Sequence, residues 1–180
     1  MDFEDCEFLA EDAPLTILPN FASEPLSLFG GYVGPFEAGI PTDVPLWLGL
    51  YLKRRHKCTI AAPEWMNIEN LTRMVAAEAA IQTLTRVPEH YVEISKIILN
   101  KASDDIADAD QLMTLIMDLR DKREAKLRTS IQRFVGQAGV AYAALTNLTR
   151  FEAAHFRPFL EEMTAKIDML NDHRHFVPKS

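Results

Sequence analysis

The first 52 residues contain no lysine or arginine, although the chain of 180 residues has 19 of them. The same segment carries nine of the 26 acidic residues, so it is strongly acidic and the remainder of the chain is close to neutral. An acidic surface repels phosphate groups, which argues against bulk electrostatic binding of nucleic acid. This charge distribution predicts two regions that present different surfaces to partners.

Cysteine is scarce, and no apolar stretch is long enough to span a bilayer. Cys6 and Cys58 are far apart in sequence, and we expect them to be reduced, at least partly buried thiols of an intracellular chain. The acidic N-terminus lacks the basic start of a secretory signal, which favours the same location. At 48% hydrophobic and 25% charged residues, the composition is that of an ordinary globular protein and excludes wholesale disorder.

The sequence also lacks the recurring motifs of catalysis. It has no glycine-rich phosphate loop of standard spacing, no nucleophile elbow, no zinc-protease histidine pair and no Cys-x-x-Cys. Residues 104–110 are rich in aspartate but lack the glycine and the final glutamate of a calcium loop, so helix capping is the simpler interpretation. His173 and His175 are too few ligands for a metal site. We therefore expect a non-enzymatic protein with no metal and no cofactor.

Glycine and proline are concentrated near the N-terminus. Five of the seven glycines lie between Gly30 and Gly49, and seven of the ten prolines lie at or before Pro63. This pattern predicts an α+β, mainly α fold, with a small β-rich domain over 1–62 and an α-helical domain over 63–180. A module of about sixty residues is marginally stable alone, so we expect it to lean on a helix or on another protein.

The N-terminal domain is predicted to hold short strands and two helices. A first helix covers 3–11, and the strands cover 15–18, 26–29 and 58–61. A second, short helix follows Pro45, with Asp43 as its expected cap. The residues at helical spacing on one face of this second helix are Leu46, Trp47, Leu50 and Tyr51. Because prolines flank the first strand, it should be short or lie at a sheet edge.

The C-terminal domain is predicted to contain four helices. They cover 68–84, 89–101, about 110–135 and 154–171, with the first capped by Asn67 and the third by Asp108 or Asp110. Pro158 fits only near the first turn of the last helix or as a kink. The polar face of the third helix is expected to carry Arg120, Asp121, Lys122, Arg123, Glu124, Lys126 and Arg128.

The third helix, whose apolar stripe is widened by Met113 and Met117, and the aromatic last helix together leave more apolar surface than a small bundle needs. Burial against another subunit would explain the surplus. The candidate interface residues are Leu112, Leu115, Ile116, Leu119, Phe134, Phe159, Met163 and Ile167.

One basic cluster follows directly on the acidic N-terminal segment. It consists of Lys53, Arg54, Arg55 and Lys57, with His56 among them, and is called the basic segment below. Cations are favoured at the C-terminal end of a helix, so a solvated helix end is one interpretation. The other is a contact to an acidic partner surface or to a nucleic-acid phosphate. In the second case the chain could be a nucleic-acid-binding module that uses this segment beside nearby aromatic residues.

Short motifs along nearly the whole chain resemble one known family. In order, they are 7–11 (EFLAE), 16–21 (TILPNF), 34–36 (GPF), 44–48 (VPLWL), 57–58 (KC), 63–66 (PEWM), 99–104 (LNKASD), 109–110 (AD), 125–128 (AKLR) and 147–149 (NLT). Together they are similar to the Psf2-type subunits of the eukaryotic GINS complex, a four-subunit DNA replication factor. The region after residue 149 departs most from that pattern.

The resemblance implies a small β domain followed by a helical domain that packs with three other GINS subunits into a flat heterotetramer. It implies a nuclear protein that joins the MCM ring and the Cdc45 protein in the replicative helicase. In that assembly this chain would have no active site and would brace its partners mechanically.

Overall fold

A computed structural model describes residues 3–28, 30–136, 146–159 and 161–162, which form a β-rich N-terminal domain and then a helical bundle. The N-terminal elements are α1 (Phe3–Glu11), β1 (Pro14–Pro19), β2 (Leu26–Leu28), β3 (Gly31–Val33), β4 (Thr42–Pro45), α2 (Leu46–Arg54) and β5 (Cys58–Ile60). The helical elements are α3 (Ile68–Ala80), α4 (Tyr91–Lys101), a short 3-10 turn (Ser103–Asp105), α5 (Ala109–Gly136) and α6 over 150–159. The predicted fold class is confirmed.

The main sheet has three antiparallel strands in the order β4-β1-β5. Ile17 in β1 lies opposite both Thr42 and Ile60, so β1 is the central strand and not an edge. Its flanking prolines are tolerated because they lie at the two ends of a six-residue strand. A separate hairpin pairs β2 with β3. The sequence predicted β1, β2 and β5, whereas β3 and β4 were not predicted.

Helix α2 follows β4 without a loop. Pro45 is the N-cap, and the amide of Leu46 donates to the carbonyl oxygen of Ala13 at 2.9 Å. The expectation that Asp43 caps the helix is wrong, because its carboxylate accepts the hydroxyl of Thr16 at 2.6 Å within the sheet. The first amide of α2 is therefore satisfied by the short link between α1 and β1.

The buried side of α2 also differs from the prediction. Leu46 and Leu50 are buried as expected, but Trp47 and Tyr51 remain 40% and 47% exposed. Gly49 lies against β1, where an added Cβ would approach a methyl group of Leu15 to 3.1 Å. This close approach of helix to sheet sets which residues of α2 turn inward.

The helix boundaries follow from capping. The side chain of Asn67 accepts the amide of Asn70 at 2.7 Å, which confirms the predicted cap of α3. Helix α6 begins at residue 150, earlier than predicted, because Thr149 and Glu152 form a capping box. Pro158 consequently lies beyond the first turn of α6, contrary to one of the two expected placements.

One hydrophobic core extends through both domains. It joins buried side chains of the sheet, such as Ile17 and Ile60, to those of the bundle, such as Leu71, Ile98 and Leu119. A smaller cluster gathers Leu84, Leu127 and Phe156 at the other end of the bundle, with Leu148 packed against it. The β-rich domain thus leans on the helices of its own chain. Among the described helices, none has the length and apolar character needed to cross a membrane.

Candidate interaction surfaces

The described part of the apolar stripe of α5 is largely buried inside the chain. Leu112, Ile116 and Leu119 are no more than 3% exposed and belong to the shared core. Side chains that are already buried leave almost no area for a partner. Helices α3 and α4 cover this face of α5, so these three residues are not carried into the interface proposed below.

The remaining candidate interface residues differ in how exposed they are. Leu115 is partly buried against the core, whereas Phe159 on α6 is 37% exposed. The side chain of Phe134 and the residues Met163 and Ile167 lie outside the described part of the structure. Phe159 is thus the described candidate with the most surface to offer.

A buried charge network joins the helices at the end of the bundle away from the sheet. Arg123 on α5 is 0% exposed and donates from Nε and Nη2 to the two carboxylate oxygens of Glu152, at 2.6 and 2.9 Å. It also donates to a carboxylate oxygen of Glu78 at 3.2 Å and to the carbonyl oxygens of Thr85 and Asn147 at 2.7 and 2.8 Å. These five bonds match the five N–H groups of a guanidinium.

The partners of Arg123 keep the network electrically balanced. Lys126 donates to the other carboxylate oxygen of Glu78 at 2.7 Å, so two cations face the two carboxylates of Glu78 and Glu152. Burial alone would raise the pKa of Glu78, but hydrogen bonds from Lys126 and Thr85 and the charge of Arg123 outweigh it and lower that pKa. Because Arg123 is buried, the prediction that it lies on the polar face of α5 is wrong.

The basic segment is divided between an internal and an external role. Lys53 donates to the carboxylates of Asp104 and Asp105 at 2.8 and 2.6 Å. The second oxygen of Asp105 accepts the amide of Ile60 at 2.8 Å. These contacts, called the interdomain clamp below, join α2 and β5 to the turn between α4 and α5, so Lys53 is largely withdrawn from external partners.

The other cations of the basic segment face solvent. Arg54, Arg55 and Lys57 are exposed, and the guanidinium of Arg55 lies 4.6 Å from the centroid of the Tyr51 ring. This distance is typical of a cation–π contact, which holds the arginine on the outer side of α2. The structure therefore reduces the candidate contact set from Lys53, Arg54, Arg55 and Lys57 to its last three members.

Exposed large apolar residues are most frequent on the N-terminal domain. They are Phe8, Leu18, Leu26, Tyr32, Ile40, Trp47 and Tyr51, whereas the described helical domain exposes Ile81, Met117 and Phe159. Tyr32 and Trp47 line a groove of about 620 Å³ between the β2–β3 hairpin and the start of α2. This groove is called the aromatic groove below.

The thiols and the acidic clusters do not form a reactive site in the described residues. Cys6 and Cys58 are buried and not paired with each other. Burial, with the nearby charge of Asp105, raises the pKa of Cys58 to about 11, so the thiol stays protonated at neutral pH. No group of three or more metal-ligating side chains comes together in the part of the chain described here.

Comparisons with known proteins agree with this two-part architecture. The PSF2 N-terminal domain matches residues 2–61, and the GINS complex protein helical bundle domain matches residues 65–170. The human DNA replication complex GINS protein PSF2 is 45% identical over 163 residues, which cover 90% of this chain and 88% of the relative. This chain belongs to the GINS PSF2 family. The resemblance stated from sequence motifs is therefore confirmed.

Other PSF2 relatives align over a similar span. The DNA replication complex GINS protein PSF2 of Xenopus laevis is 44% identical, covering 90% of this chain and 88% of that protein. The probable DNA replication complex GINS protein PSF2 of Brugia malayi is 38% identical, covering 96% of this chain and 90% of its own length. The PSF2 similarity thus includes both the β-rich domain and the helical bundle.

Proposed function

We propose that this chain is a non-catalytic structural subunit of the heterotetrameric GINS complex and acts in the nucleus during DNA replication. The observation that carries the proposal is the match of both domains, in this order, to the PSF2 family. Within the complex, the chain would pack against three other GINS subunits. Its own fold would supply a stiff element, since one core and a clamp of charged groups connect its two domains.

The finer proposal concerns the larger helicase. The assembled complex would join the MCM ring and the Cdc45 protein and brace them during initiation and elongation, so that nucleotide-driven motion of the ring is converted into unwinding. A brace needs a connection that does not bend under load. The interdomain clamp supports this role because a charge-assisted pair and a backbone hydrogen bond meet at one carboxylate of Asp105.

Subunit contacts are proposed for the apolar residues that the helical domain leaves exposed. Met117 on α5 and Phe159 on α6 are 41% and 37% exposed, and Ile81 follows the end of α3 with 47% exposure. Exposed methionine and phenylalanine are enriched in the central part of protein interfaces. These residues replace the buried stripe of α5 as the proposed interface.

Co-expression with the three other GINS subunits tests the proposal. The expected result is a stable complex with equal amounts of all four chains, measured by size-exclusion chromatography and mass determination. A chain that stays separate, with the other three associating without it, would contradict subunit membership. Adding the MCM ring and Cdc45 to the purified tetramer then tests the bracing role separately.

A second candidate function is direct contact with nucleic acid or an acidic surface through Arg54, Arg55 and Lys57. Its support is their exposure beside Tyr51 and the cation–π contact that presents Arg55 outward. Arg54→Glu combined with Lys57→Glu should weaken docking to DNA or to the larger helicase while the tetramer stays intact. The matched control is Lys101→Glu with Lys122→Glu, which reverses two exposed cations elsewhere.

The salt dependence of binding distinguishes these cases. If the basic segment contacts phosphate, the slope of the logarithm of affinity against that of salt concentration should fall by roughly one for each lost contact. Equal affinity and slope in the two double variants would eliminate the basic segment as a contact.

A further inference from the structure

The aromatic groove combines an apolar floor with an acidic surrounding. Leu28, Val33 and Pro45 supply aliphatic lining, and Tyr32 and Trp47 add aromatic rings that are 81% and 40% exposed. Its volume of about 620 Å³ falls within the range of natural binding sites for small molecules and peptide side chains. Exposed tyrosine and tryptophan beside a concave surface are the residue types that dominate binding energy at interfaces.

The charge of the groove's surroundings restricts what can bind there. Asp12 lines the groove, and every lining residue belongs to the first 52 residues, which contain nine carboxylates and no lysine or arginine. Glu24, Glu37 and Asp43 of the same domain are exposed as well. A nucleic-acid strand would bring further negative charge, and a second copy of this domain would bring nine more carboxylates. Both are disfavoured electrostatically.

We propose that the aromatic groove binds a basic segment of a partner protein, in which lysine or arginine side chains flank an aliphatic anchor. The anchor would pack on Leu28, Val33 and Pro45. The cations would lie over the rings of Tyr32 and Trp47 and pair with Asp12, because cation–π and ion-pair contacts both favour such side chains. This surface is separate from the exposed residues of the helical domain that are proposed for subunit contacts.

Photocrosslinking in cells tests the occupant directly. Tyr32→p-benzoylphenylalanine places the crosslinker in the groove of the full chain, and Tyr51→p-benzoylphenylalanine is the control at another exposed tyrosine, outside the groove. The expected product is a crosslink, specific to position 32, to a protein segment with several basic residues and an aliphatic side chain. A crosslink to an acidic segment, to nucleic acid or to a second copy of this chain would overturn the proposal. So would the absence of any product beyond the control.

A synthetic, fluorescein-labelled peptide of the crosslinked segment then tests the contacts. Trp47→Ala should weaken its binding at least about tenfold, whereas Tyr51→Ala should leave it unchanged. Asp12→Lys should weaken binding most at low salt, where ion pairing is strongest. Trp47→Phe keeps an aromatic ring and should retain most of the affinity. Equal binding by Trp47→Ala and Tyr51→Ala would show that the segment does not use the groove.

Discussion

Arg123 shows how a single charged residue can organise a helical bundle. Its guanidinium bonds with groups from α3, α6 and the segments that follow α3 and precede α6. Each contact alone contributes modestly, but a buried charge with all of its donors satisfied fixes the relative positions of the elements that satisfy it. Phe156, Leu84 and Leu127 form only a small apolar cluster near this end, so the network has a large share in holding α6.

Replacement of Arg123 by methionine should destabilise the chain strongly. The carboxylates of Glu78 and Glu152 would then be buried beside one remaining cation, and breaking such a pair from one side typically costs about 3–5 kcal/mol. Urea unfolding measures the free energy directly. Arg120→Met, at a half-exposed position on the same helix, should change it by less than about 1 kcal/mol. Equal effects of the two substitutions would contradict the burial of Arg123.

Glu93 on α4 is buried without a complete set of partners. It is 1% exposed, one of its carboxylate oxygens contacts Nδ1 of His90 at 3.2 Å, and the other has no hydrogen-bond partner among the described residues. Burial is the largest cause that raises the pKa of Glu93 above its ordinary value of 4.5, and His90 offsets it only in part. The folded chain therefore holds this proton to a higher pH than the unfolded chain does.

Glu93→Gln should consequently stabilise the protein at neutral pH. A raised folded pKa means that the stability linked to Glu93 is complete below pH 4.5 and falls as the pH rises through the folded pKa. Glutamine keeps the shape without the charge, so we expect a gain of about 1 kcal/mol at pH 7 that disappears near pH 4. Denaturant unfolding at both pH values measures it. The exposed Glu64→Gln serves as the control, and a gain that does not depend on pH would contradict this explanation.

The role of an individual residue could be predicted where its signal lies in the neighbouring sequence. It could not be predicted where the role depends on contacts with another helix or strand. Asn67 was correctly identified as a cap because its signal lies within one turn. Arg123 was assigned to solvent because charged residues surround it in sequence. Yet it lies four residues after Leu119 and four before Leu127, on the buried face of α5, and this spacing was a signal that could have revealed it.

At the scale of elements, helices were easier to predict than strands. The bounds of α1 were found correctly, and α4 was placed within two residues, since their residues carry apolar periodicity. Strands β3 and β4 have three and four residues and only one buried side chain between them. Their existence depends on pairing with β2 and β1, which a single sequence does not display.

The capping of α3 gives a test at this scale. Asn67→Ala removes the acceptor for the amide of Asn70 and should lower the free energy of unfolding by about 1 kcal/mol. Asn67→Asp retains an acceptor oxygen and adds a charge that the N-terminal end of a helix favours, so its stability should remain within a few tenths of the parent. Thermal unfolding followed by circular dichroism compares the three chains. A loss of equal size in both variants would assign the effect to something other than capping.

At the scale of the whole molecule, the exposed apolar surface is not where the sequence placed it. The described part of the α5 stripe is mostly covered by the chain itself, while aromatic and aliphatic side chains of the small domain remain exposed. The sequence predicted a surplus of apolar residues but could not show which helix faces would meet, because that depends on long-range packing. The assembly surface therefore has to be chosen from exposure rather than periodicity.

Two neighbouring positions on α5 separate folding from assembly. Leu119→Asp places a charge in the core and should cost several kcal/mol, so the soluble chain should be lost or unfolded. Met117→Asp changes a 41% exposed side chain and should leave the unfolding free energy within about 0.5 kcal/mol while reducing copurification of the other subunits. Normal copurification with Met117→Asp would remove this residue from the interface. A normally folded Leu119→Asp chain would contradict its place in the core.

The interdomain clamp has a consequence for how force passes through the chain. Asp105 binds Lys53 of α2 and the amide of Ile60 in β5 at the same time, so it ties two elements of the small domain to the bundle beside the shared core. A single contact would leave the small domain free to swivel, whereas a second contact beside a shared core restricts that rotation. We therefore expect a push on the small domain to reach the bundle with little swinging of one domain against the other.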